Sequence, residues 1–198
     1  MKKICLLGCM LLAACATLKT SDEYIARGNG YLKDGKEQKA IACFNKAVRL
    51  NPSNIDIYES RGAAYFFNGQ YDLAKADFEH VLNKNPYRVS VYTAYASTLA
   101  AQGNFKGALD VLNVVDQLGK ATAETYFARA GVLYMLGQYD RAVADYTRVL
   151  EERISADVLN ARGNAYAKWG KKTLAAQDYE RAKDPDLPQY LNSYAEPQ

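Results

Sequence analysis

The stretch Ile55–Arg88 reads IDIYESRGAAYFFNGQYDLAKADFEHVLNKNPYR, and it sets the frame for the remaining sequence. Moved by 34 residues toward either end, it aligns with further copies of itself. One small residue shows the spacing clearly, because the series Ala40, Ala74, Ala108 and Ala142 advances by 34 each time. A constant period of this length indicates a repeat protein, in which one supersecondary unit recurs.

Five copies of this unit follow one another in register. They are residues 21–54, 55–88, 89–122, 123–155 and 156–189. The fourth copy is one residue shorter than the others, because the loop that precedes the fifth lacks one residue. Positions within a repeat are counted below from its first residue.

Each repeat carries the pattern of two helices joined by a turn. Apolar residues recur at steps of three and four, the period of an amphipathic helix. A glycine stands at position 15 in every copy. Many helices end at a residue with left-handed backbone, a conformation that costs little energy only for glycine, so this position predicts the end of the first helix. Pro52 and Pro86 end the second helices of the first two copies, since proline cannot continue a helix. Small residues at positions 8 and 20 predict a close approach of the two helices.

On these residues the sequence resembles the tetratricopeptide repeat family, whose members repeat a helix–turn–helix of 34 residues. The resemblance covers residues 21–189. It implies an all-α fold, a right-handed α-solenoid of five repeats. It also implies that the first helices line a concave groove, through positions 2, 5, 9, 12 and 13, in which a segment of a protein partner binds.

Mapped onto this sequence, the groove positions place aromatic residues in repeats two and four on either side of small residues in repeat three. We expect such a surface to receive a partner's helix or extended segment, with the aromatic side chains as anchors. The alternative is that these rings pack against neighbouring helices as core. The predicted groove residues are Glu59, Phe66, Phe67, Ser97, Phe127, Tyr134, Met135 and Asn164.

Two charged positions vary together along the repeats. Position 7 is Arg and position 23 is Asp in repeats two, four and five, whereas repeat three has Tyr95 and Val111. This covariation within one chain predicts ion pairs between the two helices of a repeat. An arginine ladder that binds carboxylates is the alternative. The predicted pairs are Arg61–Asp77, Arg129–Asp145 and Arg162–Asp178; in repeat one, Arg27 faces Cys43.

The N-terminus has the layout of a secretory signal peptide. Lys2 and Lys3 precede an apolar run, residues 4–14, which is too short to span a bilayer as a helix of ~20 residues. The run ends in Leu-Ala-Ala-Cys at residues 12–15, which resembles the lipobox of bacterial lipoproteins.

That resemblance implies that residues 1–14 are a lipoprotein-type signal peptide. It also implies that Cys15 is acylated, for example with palmitate, and that residues 15–20 link this anchor to the repeats. An ordinary signal peptide with a chance cysteine is the alternative. No Asp follows Cys15, and the resemblance to enteric lipoproteins then implies delivery to the periplasmic face of the outer membrane.

The composition argues against several other classes of protein. The chain has 25 basic and 22 acidic residues, and loss of Lys2 and Lys3 leaves 23 against 22, so no basic stripe points to nucleic acid. The single histidine, His80, and the lack of a glycine-rich phosphate loop argue against catalysis. After processing, Cys43 is the only remaining free cysteine, and no Cys and His residues stand at the spacing of a metal site, so we expect no bound metal. We also expect no cofactor and no small-molecule substrate.

Together these observations predict a lipid-anchored, non-enzymatic scaffold that holds a protein partner in cell-envelope assembly. The resemblance implies two candidate systems: pilotins that localise type IV pilus secretins, and adaptors for peptidoglycan hydrolases. A purely structural or oligomeric repeat protein is the third possibility. In the tail, residues 190–198, we expect Tyr190, Leu191 and Tyr194 to cap the last repeat, with a loose tail as the alternative.

Overall fold

The computed structural model describes residues 20–187, which form ten α-helices and no β-strand. The helices are joined pairwise by tight turns into five helical hairpins. The chain divides into two compact units, and the boundary falls between Lys84 and Asn85. Each unit has its own buried core and is described by itself.

The first unit contains two hairpins, and the second helix of the first hairpin packs against the first helix of the second. Thr20 caps the first helix: its hydroxyl accepts a hydrogen bond from the Glu23 amide, and the Glu23 carboxylate accepts one from the Thr20 amide. This reciprocal arrangement satisfies two amides that the helix itself leaves unpaired. The helices are α1 Ser21–Lys33, α2 Glu37–Leu50, α3 Ile55–Phe67 and α4 Tyr71–Lys84.

The second unit contains three hairpins. The second helix of each hairpin contacts the first helix of the next, and the first helices of the first two of these hairpins also touch. Its core is a continuous cluster of apolar side chains that includes Leu112, Leu133 and Val149. The helices are α5 Val89–Ala101, α6 Phe105–Gln117, α7 Ala123–Met135, α8 Tyr139–Glu152, α9 Ala156–Lys168 and α10 Lys172–Arg181.

The turn inside each hairpin depends on its glycine at position 15. All five of these glycines have left-handed backbone, with φ between 65° and 83°. Gly119 has the same conformation, with φ of 64°, and follows α6 in repeat three, which has Lys120 where the first two repeats have proline. A side chain at such a φ would strain the backbone, so glycine is required for these turns.

Close contact between the two helices of a hairpin depends on a second glycine. A Cβ on Gly28 would lie 2.6 Å from the Phe44 ring, and one on Gly62 would lie 2.7 Å from the Phe78 ring. Both rings are almost fully buried. The ring of the second helix therefore occupies the space that a methyl group on the first helix would need.

The first helices of the five hairpins begin at Ser21, Ile55, Val89, Ala123 and Ala156. The prediction of an all-α fold of helix–turn–helix repeats is therefore confirmed for the described residues. Cys43 is buried and free, as expected of a small apolar residue.

Candidate functional site

The second unit has an apolar cavity of about 400 Å³ between α5 and α7. Phe127, Tyr134 and Met135 of α7 contribute large side chains to it, and so do Phe105 and Leu112 of α6. Its small side chains come from α5 and from the middle of α7: Ala96, Ser97, Ala100 and Gly131. The predicted groove residues of repeats three and four therefore lie together around one concave, mostly apolar space.

Neighbouring rings hold the two aromatic residues of this cavity in place. Phe127 meets Tyr146 edge to face at 5.7 Å, and Tyr134 meets Tyr139 at 5.5 Å between ring centroids. Burial raises the pKa of Tyr146 to about 12, so this phenol stays neutral. Phe127 and Tyr134 thus pack against the core and also line the cavity.

The cavity remains open because the residues along its base are small. A Cβ on Gly131 would meet only the Tyr146 hydroxyl, at 3.9 Å, which is an ordinary van der Waals distance. Unlike Gly28 and Gly62, Gly131 is therefore not required by packing within its hairpin. Met135 is 59% exposed at the end of α7, and its flexible thioether suits a surface that adapts to a bound segment.

The predicted groove residues of the first unit form a separate aromatic group. Phe66 contacts Phe67 at 5.4 Å and Tyr71 at 5.8 Å. Phe67 is 66% exposed, an unusual environment for a phenylalanine, whereas Glu59 is half-buried on the same helix. Exposed rings of this kind are typical anchors for a partner.

Asn164, the predicted groove residue of repeat five, is exposed on α9. Its side-chain oxygen accepts a hydrogen bond of 2.8 Å from the Tyr179 hydroxyl of α10. It joins the two helices of the last hairpin and does not line the apolar cavity. Mapping by position alone misses this contact, since it depends on the tyrosine at position 24.

The predicted Arg and Asp partners lie within hydrogen-bonding distance in all three repeats. In repeat two, Arg61 Nε and Nη2 donate to the two carboxylate oxygens of Asp77 at 2.8 and 2.7 Å. Arg129–Asp145 and Arg162–Asp178 have the same two-pronged geometry. Two parallel, charge-assisted bonds fix both distance and orientation between the helices.

Each of these arginines also binds the preceding repeat, a contact that the sequence analysis missed. Arg61 Nη1 donates to Asn45 Oδ1 at 2.8 Å, and Arg162 Nη1 donates to Thr147 Oγ1 at 3.1 Å. Arg129 Nη1 reaches Asn113 in the same way. All three acceptors stand at position 25 of the preceding repeat, so the period contained a usable signal.

Arg129 differs from the other two because it has a second carboxylate partner. Its Nη1 donates to Asp116 Oδ2 at 2.7 Å. These bonds raise the pKa of Arg129, chiefly through Asp145, and the bond from Arg129 lowers the pKa of Asp116. The network borders a polar cavity of about 400 Å³ between α6 and α8, which Arg141 and Arg148 also line.

Family models place this architecture among known proteins. A model of the TPR repeat matches residues 28–69, and a tetratricopeptide repeat model matches residues 60–121 and 127–188. The chain belongs to the tetratricopeptide repeat family. Proteins of this family are generally non-enzymatic scaffolds, and the fold implies protein partners.

Solved tetratricopeptide repeat structures share the fold at low sequence identity. TTC0263, a thermophilic TPR protein of Thermus thermophilus, has a TM-score of 0.69 and 18% identity over 89% of this chain and 96% of that chain. MamA (41-end) of Desulfovibrio magneticus RS-1 has a TM-score of 0.72 and 18% identity over 83% of this chain and 97% of that chain. At these identities the likeness shows the fold alone. No curated protein matches the sequence.

Within residues 20–187, no group of three or more His, Cys, Asp or Glu residues is arranged to hold a metal ion. The single histidine, His80, stacks on Tyr58 at 4.1 Å between ring centroids and is half-buried rather than exposed. In the same part of the tetratricopeptide repeat chain, no helix has the length and apolar character to cross a membrane.

Two of the sequence predictions concern residues outside the described range. Acylation of Cys15 and the signal peptide fall before residue 20, and the capping tail with Tyr190, Leu191 and Tyr194 falls after residue 187. Both stay predictions.

Proposed function

We propose that this tetratricopeptide repeat protein is a lipid-anchored scaffold that binds a protein segment in the apolar cavity between α5 and α7. The observation that carries the proposal is the cavity itself, with Phe127, Tyr134 and Met135 around small residues. Family membership supports a protein as the occupant. The proposal assigns no enzyme activity, cofactor or small-molecule substrate to the chain.

The chemistry of the cavity favours apolar side chains of the partner. Ser97 is the only hydroxyl-bearing residue on the α5 side, and the other groups there are methyls. Rings that neighbouring aromatic residues already hold in place lose little conformational entropy when a partner covers them. A few apolar anchors on a helix or an extended segment would thus contribute most of the affinity.

Site-specific photocrosslinking in cells tests this use of the cavity. Two test variants carry a photoreactive amino acid in place of Ser97 or of Met135. Two control variants carry it in place of Asp110 or of Gln177, which are exposed elsewhere on the second unit. We expect one and the same protein to be crosslinked from both cavity positions and from neither control position.

A cavity-filling variant then separates binding from folding. Gly131→Leu places a side chain in the cavity, and the space around a Gly131 Cβ indicates that the helix tolerates it. We expect the crosslinks to disappear while the thermal melt stays cooperative. Crosslinks that persist at full yield in this variant would contradict the proposed site.

The anchor and its place in the envelope form the second half of the proposal. Acylation at Cys15 would hold the repeats at the periplasmic face of the outer membrane. Metabolic labelling with a fatty-acid analogue should mark the wild type and not Cys15→Ser. Unlabelled mature protein in the soluble periplasm would refute the anchor.

The envelope system can be assigned by deletion. Loss of a secretin from the outer membrane would support the pilotin role, and altered cell-wall turnover with intact pili would support the adaptor role. If Phe67→Asp and Tyr134→Asp leave the cellular function intact, the repeats serve a structural or oligomeric role instead.

A further inference from the structure

One face of the first hairpin carries three exposed cations. Arg27 of α1 and Lys39 and Lys46 of α2 stand at positions 7, 19 and 26 of repeat one. This set is called the basic face below. Repeat four has cations at the same three positions, namely Arg129, Arg141 and Arg148, and there they border the polar cavity.

The two sets differ in their counter-charges. In repeat four, Asp145 stands at position 23 among the arginines, and Asp116 of α6 adds a second carboxylate. Repeat one has Cys43 at position 23. Within residues 20–187, none of the three cations of the basic face lies in an ion pair.

Tyrosine rings take the place of carboxylates on the basic face. Arg27 Nη2 donates to the Tyr31 hydroxyl at 3.1 Å, and Lys39 lies 5.9 Å from the centroid of the same ring. Lys46 lies 5.4 Å from the centroid of Tyr24. Such contacts orient the cations but leave their charge uncompensated. The tyrosines also supply amphipathic side chains of the kind enriched at membrane interfaces.

The basic face begins where the chain enters the fold. Tyr24 lies in the first turn of α1 and contacts Lys46 of α2. Tyr31 lies two turns further along α1 and contacts Lys39 of α2. The whole of α1 is only ~20 Å long at 1.5 Å per residue. A linker that joins Cys15 to α1 reaches ~15–20 Å. A membrane at the anchor would therefore lie within reach of the face.

We propose that the basic face of α1 and α2 docks on a membrane surface that carries anionic phospholipid headgroups. This inference rests on the proposed anchor, which brings the face to the surface, and it adds an electrostatic contact to the lipid. A second contact of this kind, besides the lipid anchor, strengthens the attachment and holds the domain in one orientation on the membrane. Each Lys or Arg near an anionic surface strengthens binding about fivefold.

Lysine reactivity in the full chain tests the proposal directly. The protein, purified from cells in its native form, is reconstituted with vesicles of phosphatidylcholine alone or of phosphatidylcholine mixed with phosphatidylglycerol. Acetylation rates at single lysines are then measured by mass spectrometry. On the anionic vesicles, we expect Lys39 and Lys46 to react several-fold more slowly than on the neutral ones. High salt should remove the difference, because it screens exposed charges.

Lys168 and Lys172 of the second unit are the internal control, since both are exposed and stand outside the basic face. Their rates should be the same on the two vesicle types. Equal rates at Lys39 and Lys46 on both types would overturn the proposal.

Flotation with neutral vesicles reports on the anchor separately. A chain that does not float with phosphatidylcholine alone refutes the anchor but leaves the basic face testable on anionic vesicles. There, Arg27→Gln/Lys39→Gln/Lys46→Gln should lose binding, and Lys106→Gln/Lys168→Gln/Lys172→Gln, with the same loss of charge, should keep it. For such an unanchored chain, equal binding by the two triple variants would also overturn the proposal.

Discussion

The first hairpin and the fourth have the same three cationic positions, yet their arginines have opposite environments. Arg129 is 7% exposed and holds two carboxylates, whereas Arg27 is exposed and bonds only to a tyrosine hydroxyl. The residue at position 23 accounts for the difference, since it is Asp145 in one case and Cys43 in the other. An aspartate at position 23 thus supplies the main counter-charge of the buried guanidinium, and the guanidinium without one lies at the surface.

The physical reason lies in the cost of burying a charge. A guanidinium can leave water only if carboxylates and other acceptors replace its hydration, and its planar fork suits two parallel bonds. The Arg61 and Arg162 side chains, each 16% exposed with one carboxylate partner, lie between the two extremes. Exposure thus falls as the number of charged partners rises from none to one to two.

The largest effect is expected from Asp145→Ala, which leaves the buried Arg129 with Asp116 as its only charged partner. We expect the free energy of unfolding to fall by ~3 kcal/mol, because a buried charge loses its main counter-charge. Urea denaturation of this variant and of the exposed control Asp110→Ala measures the difference. Asp77→Ala should cost less, since Arg61 is more exposed. Equal midpoints for the Asp145 variant and its control would remove the pairing argument.

The next effect concerns packing in the hairpin that lacks the ion pair. Gly28→Ala places a methyl group 2.6 Å from the Phe44 ring, and we expect a loss of ~1–3 kcal/mol from overpacking. Gly30 is the matched control on the same helix, because a Cβ there meets nothing within 4 Å. Gly30→Ala should stabilise by ~0.5–1 kcal/mol. If Gly28→Ala and Gly30→Ala shift the melting temperature in the same direction, this account is wrong.

A smaller effect should appear in the pH dependence of stability. The bond from Arg129 lowers the pKa of Asp116 in the folded protein below the unfolded value of ~3.9. The carboxylate therefore stabilises the fold above that unfolded value, and the contribution is lost as the pH falls through the folded pKa. The stability gap between wild type and Asp116→Asn should narrow below about pH 4. A gap that stays constant in acid titrations would refute this role of Asp116.

The smallest effect on stability is expected from Cys43→Asp, which gives repeat one the residue that repeat four has. The new carboxylate would be buried, as Asp145 is, but its pair with Arg27 offsets the lost hydration, so the unfolding midpoint should change little. Binding to phosphatidylglycerol vesicles should nevertheless weaken, because the basic face gains a negative charge. Cys43→Ser controls for the loss of the thiol. Unchanged vesicle binding in Cys43→Asp would argue against the basic face.

Much of the fold could be predicted because the period exposes the residues that build it. The turn glycines and the Arg–Asp pairs recur at fixed positions, and physical chemistry assigns each a role. The position-25 acceptors Asn45, Asn113 and Thr147 also recur, but their types differ, so the period alone did not reveal them. Asp116 occurs in one repeat only, and no repeat pattern could indicate it.

The candidate site was less predictable for a related reason. Family positions correctly indicated that Phe127, Tyr134 and Met135 share a surface, because those positions are set by the helix geometry. For Asn164 the same mapping stays a prediction, and it did not reveal the hydrogen bond from Tyr179 of the neighbouring helix that orients its amide. The size of the cavity depends on small residues such as Gly131, whose effect appears only once the helices are packed.

The two-pronged bonds between arginine and aspartate also determine the order in which the repeats of the second unit should unfold. In a linear array each repeat is coupled to its nearest neighbours, and unfolding can start at an end. Among the bonds of these three arginines, release of repeat five breaks those of Arg162, to Asp178 and Thr147. All the bonds of Arg129 lie within repeats three and four and remain intact. Fraying from α10 should therefore stop at α8, and hydrogen exchange should show α9 and α10 opening as one cooperative segment ahead of α6 to α8.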